Sequence, residues 1–244
     1  MPKTVFFGSP VTHSEYSELR ANCYRSYHYV SNSGLLVCPK FINPLINLRA
    51  FYNFISQHND TVSGVRFYPG FSRDKLILSM CHDNVESTTP SEVWAQLDNN
   101  LYHSHDIPLI NSDIVNARTL KRNYDENVYI NGLPQVPGDR TRISRFYTFD
   151  EMTSLIDDNV PLRDYQNFFI QIEWGMVYDA MTTIFSSRCR VDNPNQHYGF
   201  TVLFHIKDSN GNSLIDTEQG YDPDNYSLSY LEVGTPCPPR CGII

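Results

Sequence analysis

The sequence predicts an α+β fold in one main domain, and three observations carry that prediction. Residues 62–83, VSGVRFYPGFSRDKLILSMCHD, alternate as two strands about a Pro-Gly turn. Residues 199–217 repeat the arrangement about Asp208-Ser209-Asn210-Gly211-Asn212, because Asn and Gly accept the positive φ of a hairpin turn. Around these pairs lie segments whose apolar residues recur at spacings of three and four, the mark of a helix with one buried face. The expected architecture is an antiparallel sheet built from the hairpins at about 62–82 and 199–217, with helices packed on it.

Taken in order, residues 1–11 are extended, with Val5, Phe6 and Phe7 as an arm or edge strand. Thr12-x-x-Glu15 has the form of a capping box, and Tyr16, Leu19, Cys23 and Tyr27 then share one face of a helix over 13–27. Pro44 opens a second helix to His58, with Leu45, Leu48, Tyr52 and Ile55 inward. In the first hairpin Pro69-Gly70 sets the turn, and the loop runs on to Asp74. Leu76, Leu78 and Met80 alternate with Ile77, Ser79 and Cys81, so both faces of that strand are apolar and it is predicted to be covered on both sides.

Thr89-Pro90-Ser91-Glu92 resembles a helix start, followed by Trp94, Leu97 and Leu101 on one face. Residues 102–146 form a loop-rich excursion holding a helix near 112–122 and a strand at 128–130. Asp150 caps a short helix to Asp158. Within 164–187, helical spacing (Phe169, Ile172, Met176, Ala180, Ile184) and strand alternation (Phe168, Ile170, Ile172, Trp174) both fit, and length favours a helix. From about 219 the chain is an extended tail.

Composition bounds the function. Apolar residues make up 41% and charged residues 19%, values of a folded chain rather than a disordered one. The formal charge of −8 repels phosphate backbones, so nucleic acid is not an expected partner. No apolar run reaches the ~20 residues of a membrane span, and the N-terminus lacks a signal-peptide core, so the expected location is cytoplasmic. Sixteen Tyr and fourteen Phe suit sheet packing or a recognition surface.

Four features could carry chemistry. Cys237-Pro-Pro-Arg-Cys241 holds two thiols close enough for a small disulfide loop or for two of four zinc ligands, with Cys81 and His82 as the remaining pair. Stiff prolines and free thiols are the structural alternative. Arg66, flanked by Val65 and Phe67 on a strand, either forms a buried ion pair (with Glu173 or Asp179) or anchors an anionic ligand. Arg140 and Arg142 could bind a phosphate or carboxylate, or form a solvated face. His103-x-His105 is a possible metal pair or a pair of surface histidines. There is no G-x-S-x-G elbow, Walker A loop or G-x-G-x-x-G, and the motifs identify no cofactor.

SELRANCYRS at 17–26, VSGVRFYPGF with DKLILSMCHD at 62–83, and GTPCPPRCG at 234–242 together resemble a family of uncharacterised small proteins from Bacteroidetes. Its pattern is a Gly-(Ile/Val)-Arg-(Ile/Phe)-Tyr strand, a Leu-rich strand and a C-terminal Cys-Pro-Pro-x-Cys. Here Cys23 stands between the Asn and Tyr of the first block. The resemblance implies a bacterial origin and a shared fold, and brings no catalytic residue with it. The leading functional expectation is therefore a non-enzymatic binding or self-assembly protein with a homo-oligomeric or protein partner. The alternatives are a metal-dependent hydrolase-like enzyme using His and Cys, or a thiol-based redox or sensory protein using Cys237 and Cys241.

Overall fold

The computed structural model describes residues 9–10, 13–57, 62–84, 93–98, 101–102, 109–111, 114–130, 144–157, 159–177, 199–213, 230–232 and 235–236. In chain order the elements are β1 (Ser9–Pro10), α1 (His13–Ser26), β2 (Tyr27–Val30), β3 (Leu36–Val37), β4 (Lys40–Phe41), β5 (Leu45–Asn47) and α2 (Leu48–Ser56). Then come β6 (Gly64–Ser72), β7 (Lys75–Asp83), β8 (Val93–Leu97), β9 (Leu101–Tyr102), β10 (Leu109–Asn111), α3 (Ile114–Asn127) and β11 (Val128–Ile130). The last are β12 (Arg145–Thr148), α4 (Phe149–Asp157), a 3₁₀ turn (Leu162–Asn167), β13 (Phe168–Val177), β14 (Gly199–Asp208), β15 (Tyr230–Glu232) and β16 (Thr235–Pro236). The class is α+β, as expected.

The two strand pairs that the sequence placed in one sheet belong to two. One sheet runs β1-β15-β14-β13-β5-β9 and the other β10-β8-β7-β6-β12-β16, with β4 pairing parallel to β7. They face each other across a shared core. Ile170, Ile172, Trp174 and Met176 of β13 and Val202, Phe204 and Ile206 of β14 meet Val65, Phe67, Leu78 and Met80 of the other sheet. Phe204 packs against both Phe67 (5.4 Å) and Tyr147 (4.9 Å), and the Tyr147 hydroxyl donates to the Val202 carbonyl at 2.7 Å. Each outer face carries a helix, α1 on β13 and α3 on β6. α2, α4 and the 3₁₀ turn pack together near the end where β6 starts and β7 finishes. A third sheet, β11-β2-β3, continues directly from α1.

Several local expectations need correction. Residues 168–177 form a strand, paired with β14 along its whole length from Phe168↔Asp208 to Val177↔Gly199. Both of its faces are buried, so the helical spacing that Phe169, Ile172 and Met176 suggest is a by-product of apolar residues on either side. Residues 93–97 are likewise a strand between β7 and β10, and the helical reading of Trp94, Leu97 and Leu101 fails. The helix predicted from Pro44 begins at Leu48. Its N-cap is Asn47, whose side-chain oxygen accepts from the Arg49 and Ala50 amides, and residues 45–47 are strand. The cap of α4 is Thr148 rather than Asp150. Its hydroxyl accepts from the Glu151 amide at 3.2 Å, while the Glu151 carboxylate accepts from the Thr148 amide at 2.8 Å.

The first hairpin turns later than Pro69-Gly70. β6 runs through both residues, Pro69 opposite Leu78 and Gly70 opposite Ile77, and the chain reverses at Arg73-Asp74, with Arg73 at φ 59°. Gly70 serves packing: a Cβ there would sit 2.9 Å from the Leu120 Cβ of α3. The expectation that β7 is covered on both faces holds, since every residue from Leu76 to Asp83 is buried. The return strand expected at 214–217 and most of the C-terminal tail lie outside the described residues. The described terminal segments pair within their own chain, β1 with β15 and β16 with β12.

Candidate functional site

The two helix–sheet interfaces differ in chemistry, and the difference locates the candidate site. Under α3 the contacts are mostly apolar, with Ala117 meeting Tyr68, Cys81 and Trp94 and Leu120 meeting Ile42 and Ile77, beside one side-chain hydrogen bond from Asn116 to Gln96. Under α1 the sheet offers polar groups. Alternation along β13 and β14 turns Ile172, Trp174 and Phe204 to the core, so Gln171, Glu173, Thr201 and His205 face the helix, and all four are buried. The helix answers in kind. Tyr16 and Leu19 are buried one turn apart on α1, and Arg20 follows at the rim with its side chain 47% exposed.

Tyr16 bridges the two strands. Its hydroxyl donates to Glu173 Oε2, and its oxygen lies 2.7 Å from His205 Nδ1. The phenol has one proton, so with that proton on Glu173 the oxygen accepts from His205 Nδ1–H and fixes the tautomer of the neutral ring. Arg20 Nε stands 3.6 Å from the same Glu173 oxygen. Burial, with Lys207 and Arg20 nearby, pushes the imidazolium pKa of His205 down from the ordinary 6.5 to about 3, so the ring is uncharged at neutral pH. Lys207 donates to Gln171 Oε1 at 3.1 Å, and Gln171 donates to the Asn43 carbonyl at 2.8 Å. A buried carboxylate, phenol and imidazole in one chain of hydrogen bonds can hold or relay a proton.

Of this group the sequence offered only Glu173, as a carboxylate and as a partner for Arg66. The usable signal for His205 was its place in the 200–207 alternation, opposite in phase to Phe204 and therefore on a helix-facing surface.

The residues singled out from sequence are placed elsewhere. Arg66 is fully buried, and its partner is Asp83 rather than Glu173: Nε donates to Asp83 Oδ2 at 2.7 Å. A second nitrogen donates to the Asn84 carbonyl at 3.0 Å, a third reaches the Ser144 hydroxyl at 3.4 Å, and the guanidinium lies 5.1 Å from the Phe146 ring centre. This arrangement is the buried ion pair of the two readings weighed above. Cys81 and His82 are neighbours on β7 and so point to opposite faces. Cys81 lies under α3 with Tyr68 and Trp94, whereas His82 Nε2–H donates to the Phe54 carbonyl at 2.8 Å with its ring against Phe54 and Phe149. Cys237, Cys241, Arg140, Arg142, His103 and His105 lie outside the described residues. Among the described residues, no three His, Cys, Asp or Glu side chains are grouped to hold a metal ion, and no helix is long and apolar enough to cross a membrane. No protein-family model matches the chain, and no curated protein or solved structure compared with it is significantly similar.

Proposed function

We propose that this chain is a binding protein that self-associates through the outer face of its three-stranded sheet. The observation that carries this reading is where exposed apolar side chains gather. In that sheet Val30 pairs with Leu36 and Tyr129 with His28, which puts all four on one face; Tyr27, Tyr29 and Val128 occupy the other and pack on the core. Val30 is 51% exposed, Leu36 57%, Tyr129 38%, and Leu35 in the adjoining turn 64%. Single exposed apolar residues are ordinary, but a contiguous group on a flat strand surface is the usual sign of a protein contact. β3 is an edge of this sheet among the described residues, so two copies could also pair strand to strand about a two-fold axis. A lone surface of this kind exposes apolar area at a cost in solubility, which a partner relieves.

Sedimentation velocity across a wide concentration range tests the reading. The expected result is a reversible monomer–dimer equilibrium that Leu36→Asp shifts at least tenfold toward monomer without altering the circular dichroism spectrum. A wild-type chain that stays monomeric throughout would overturn self-association. A Leu36→Asp variant that associates like the wild type would remove this face from the contact.

A further inference from the structure

The polar layer beneath α1 costs more to build than an apolar one, and its wiring runs between separate elements. Tyr16 and Arg20 belong to the helix, Glu173 to β13 and His205 to β14, so the cluster ties α1 to two strands at once. We propose that α1 is an acid-released latch: the Tyr16–Glu173–His205 cluster holds the helix on its sheet near neutral pH and lets it lift, ahead of the rest of the fold, when the surroundings acidify.

The latch depends on the protonation state of His205, which must be uncharged to sit buried beside Arg20 and Lys207 while its Nδ1 meets the Tyr16 hydroxyl. Among the described residues, the charged and titratable groups around His205 are Tyr16 and Arg20 from α1, Glu173 from β13 and Lys207 on its own strand. In the register with β15, His205 pairs with Tyr230 and Leu203 with Glu232. Protonating His205 adds a third positive charge beside Arg20 and Lys207, which acts against the docked helix.

The sign for His205 follows from linkage. Its pKa is depressed while α1 is docked and returns toward 6.5 when the helix lifts and water enters. The open form therefore takes up a proton that the closed form refuses. Docking is at full strength above about pH 6.5 and weakens about tenfold for each unit below that, down to about pH 3.

The chain carries its own reporters. Cys23 of α1 is fully buried and is uncovered when the helix lifts, whereas Cys81 is buried beneath α3 in the other sheet and is uncovered only by wider unfolding. Labelling with a pyridyl disulfide, which reacts with thiols in acid, would be read residue by residue by mass spectrometry and normalised at each pH to a short unstructured peptide with a single cysteine. The expected result is a roughly tenfold rise in relative Cys23 labelling per unit between about pH 6 and 4, with Cys81 still protected. His205→Gln should flatten that slope. Tyr16→Phe, which keeps the ring and removes the bridge, should speed Cys23 labelling at pH 7.5. Cys23 and Cys81 opening in parallel would overturn the proposal, as would an unchanged slope in His205→Gln or an unchanged rate in Tyr16→Phe. None of these readouts depends on self-association, so the latch and the docking face can fail separately.

Discussion

Asp83→Ala is expected to cost about 3–5 kcal/mol of folding stability, because it takes the carboxylate partner from a fully buried guanidinium. Arg66 is fully buried, and Asp83 is the acceptor for its Nε. Its other described contacts, to the Asn84 carbonyl, the Ser144 hydroxyl and the Phe146 ring, are with neutral groups. Urea denaturation would measure the loss. Since whole domains are stable by roughly 5–15 kcal/mol, the variant should be close to unfolding at 37 °C. The double variant Arg66→Met with Asp83→Leu, which removes both charges, should recover most of it. If Asp83→Ala cost less than about 1 kcal/mol, the pair would have to be more hydrated than its burial implies.

Trp174→Ala should be comparably severe, at about 3–5 kcal/mol. The indole is fully buried between the sheets, packed on Tyr27, Phe41 and Phe200, and its Nε1–H donates to the Ile42 carbonyl at 3.0 Å. That bond links β13 to the segment between β4 and β5, so the variant loses volume and leaves a buried acceptor short of its donor. Trp174→Phe separates the two effects: most of the ring area stays and the donor goes, for an expected cost of about 1–3 kcal/mol. Equal losses in the two variants would mean that the hydrogen bond, and not the packing, holds this part of the core.

What could be read from the sequence divides along the physics of burial. α1 was legible because Tyr16, Leu19 and Cys23 repeat on one face, and β14 because Phe200, Val202, Phe204 and Ile206 alternate in a strict period of two. The strands β8 and β13 were not, since each carries apolar residues on both faces (Trp94 and Ala95, Phe169 and Ile170), from which a helical spacing can be picked out as readily as an alternation. Pro69-Gly70 misled for a different reason. The pair has the chemistry of a turn, yet its glycine answers to a helix more than forty residues later in the chain, a constraint that no local window contains. The candidate site was hidden by the same non-locality: Tyr16, Glu173 and His205 lie on three elements whose adjacency is set by pairing between β13 and β14. The Arg66 ion pair was half legible. The residue type and its strand placement foretold a buried carboxylate partner, while the identity of that partner needed the register that puts Arg66 opposite Cys81 and brings Asp83 alongside.

The junction between α1 and β2 has no linker: Ser26 ends the helix and Tyr27 begins the strand. A helix advances about 100° per residue and a strand reverses at every residue, so this single peptide bond locks the rotational phase of one to the parity of the other. Because Cys23 is anchored in the core, Tyr27 and Tyr29 must face inward, and Val30 is left outward beside Leu36. The exposed apolar face is thus a matter of counting as much as of composition. One residue inserted at the junction would invert β2, turning its tyrosines to solvent and its valine to the core, with the rest of the sequence untouched.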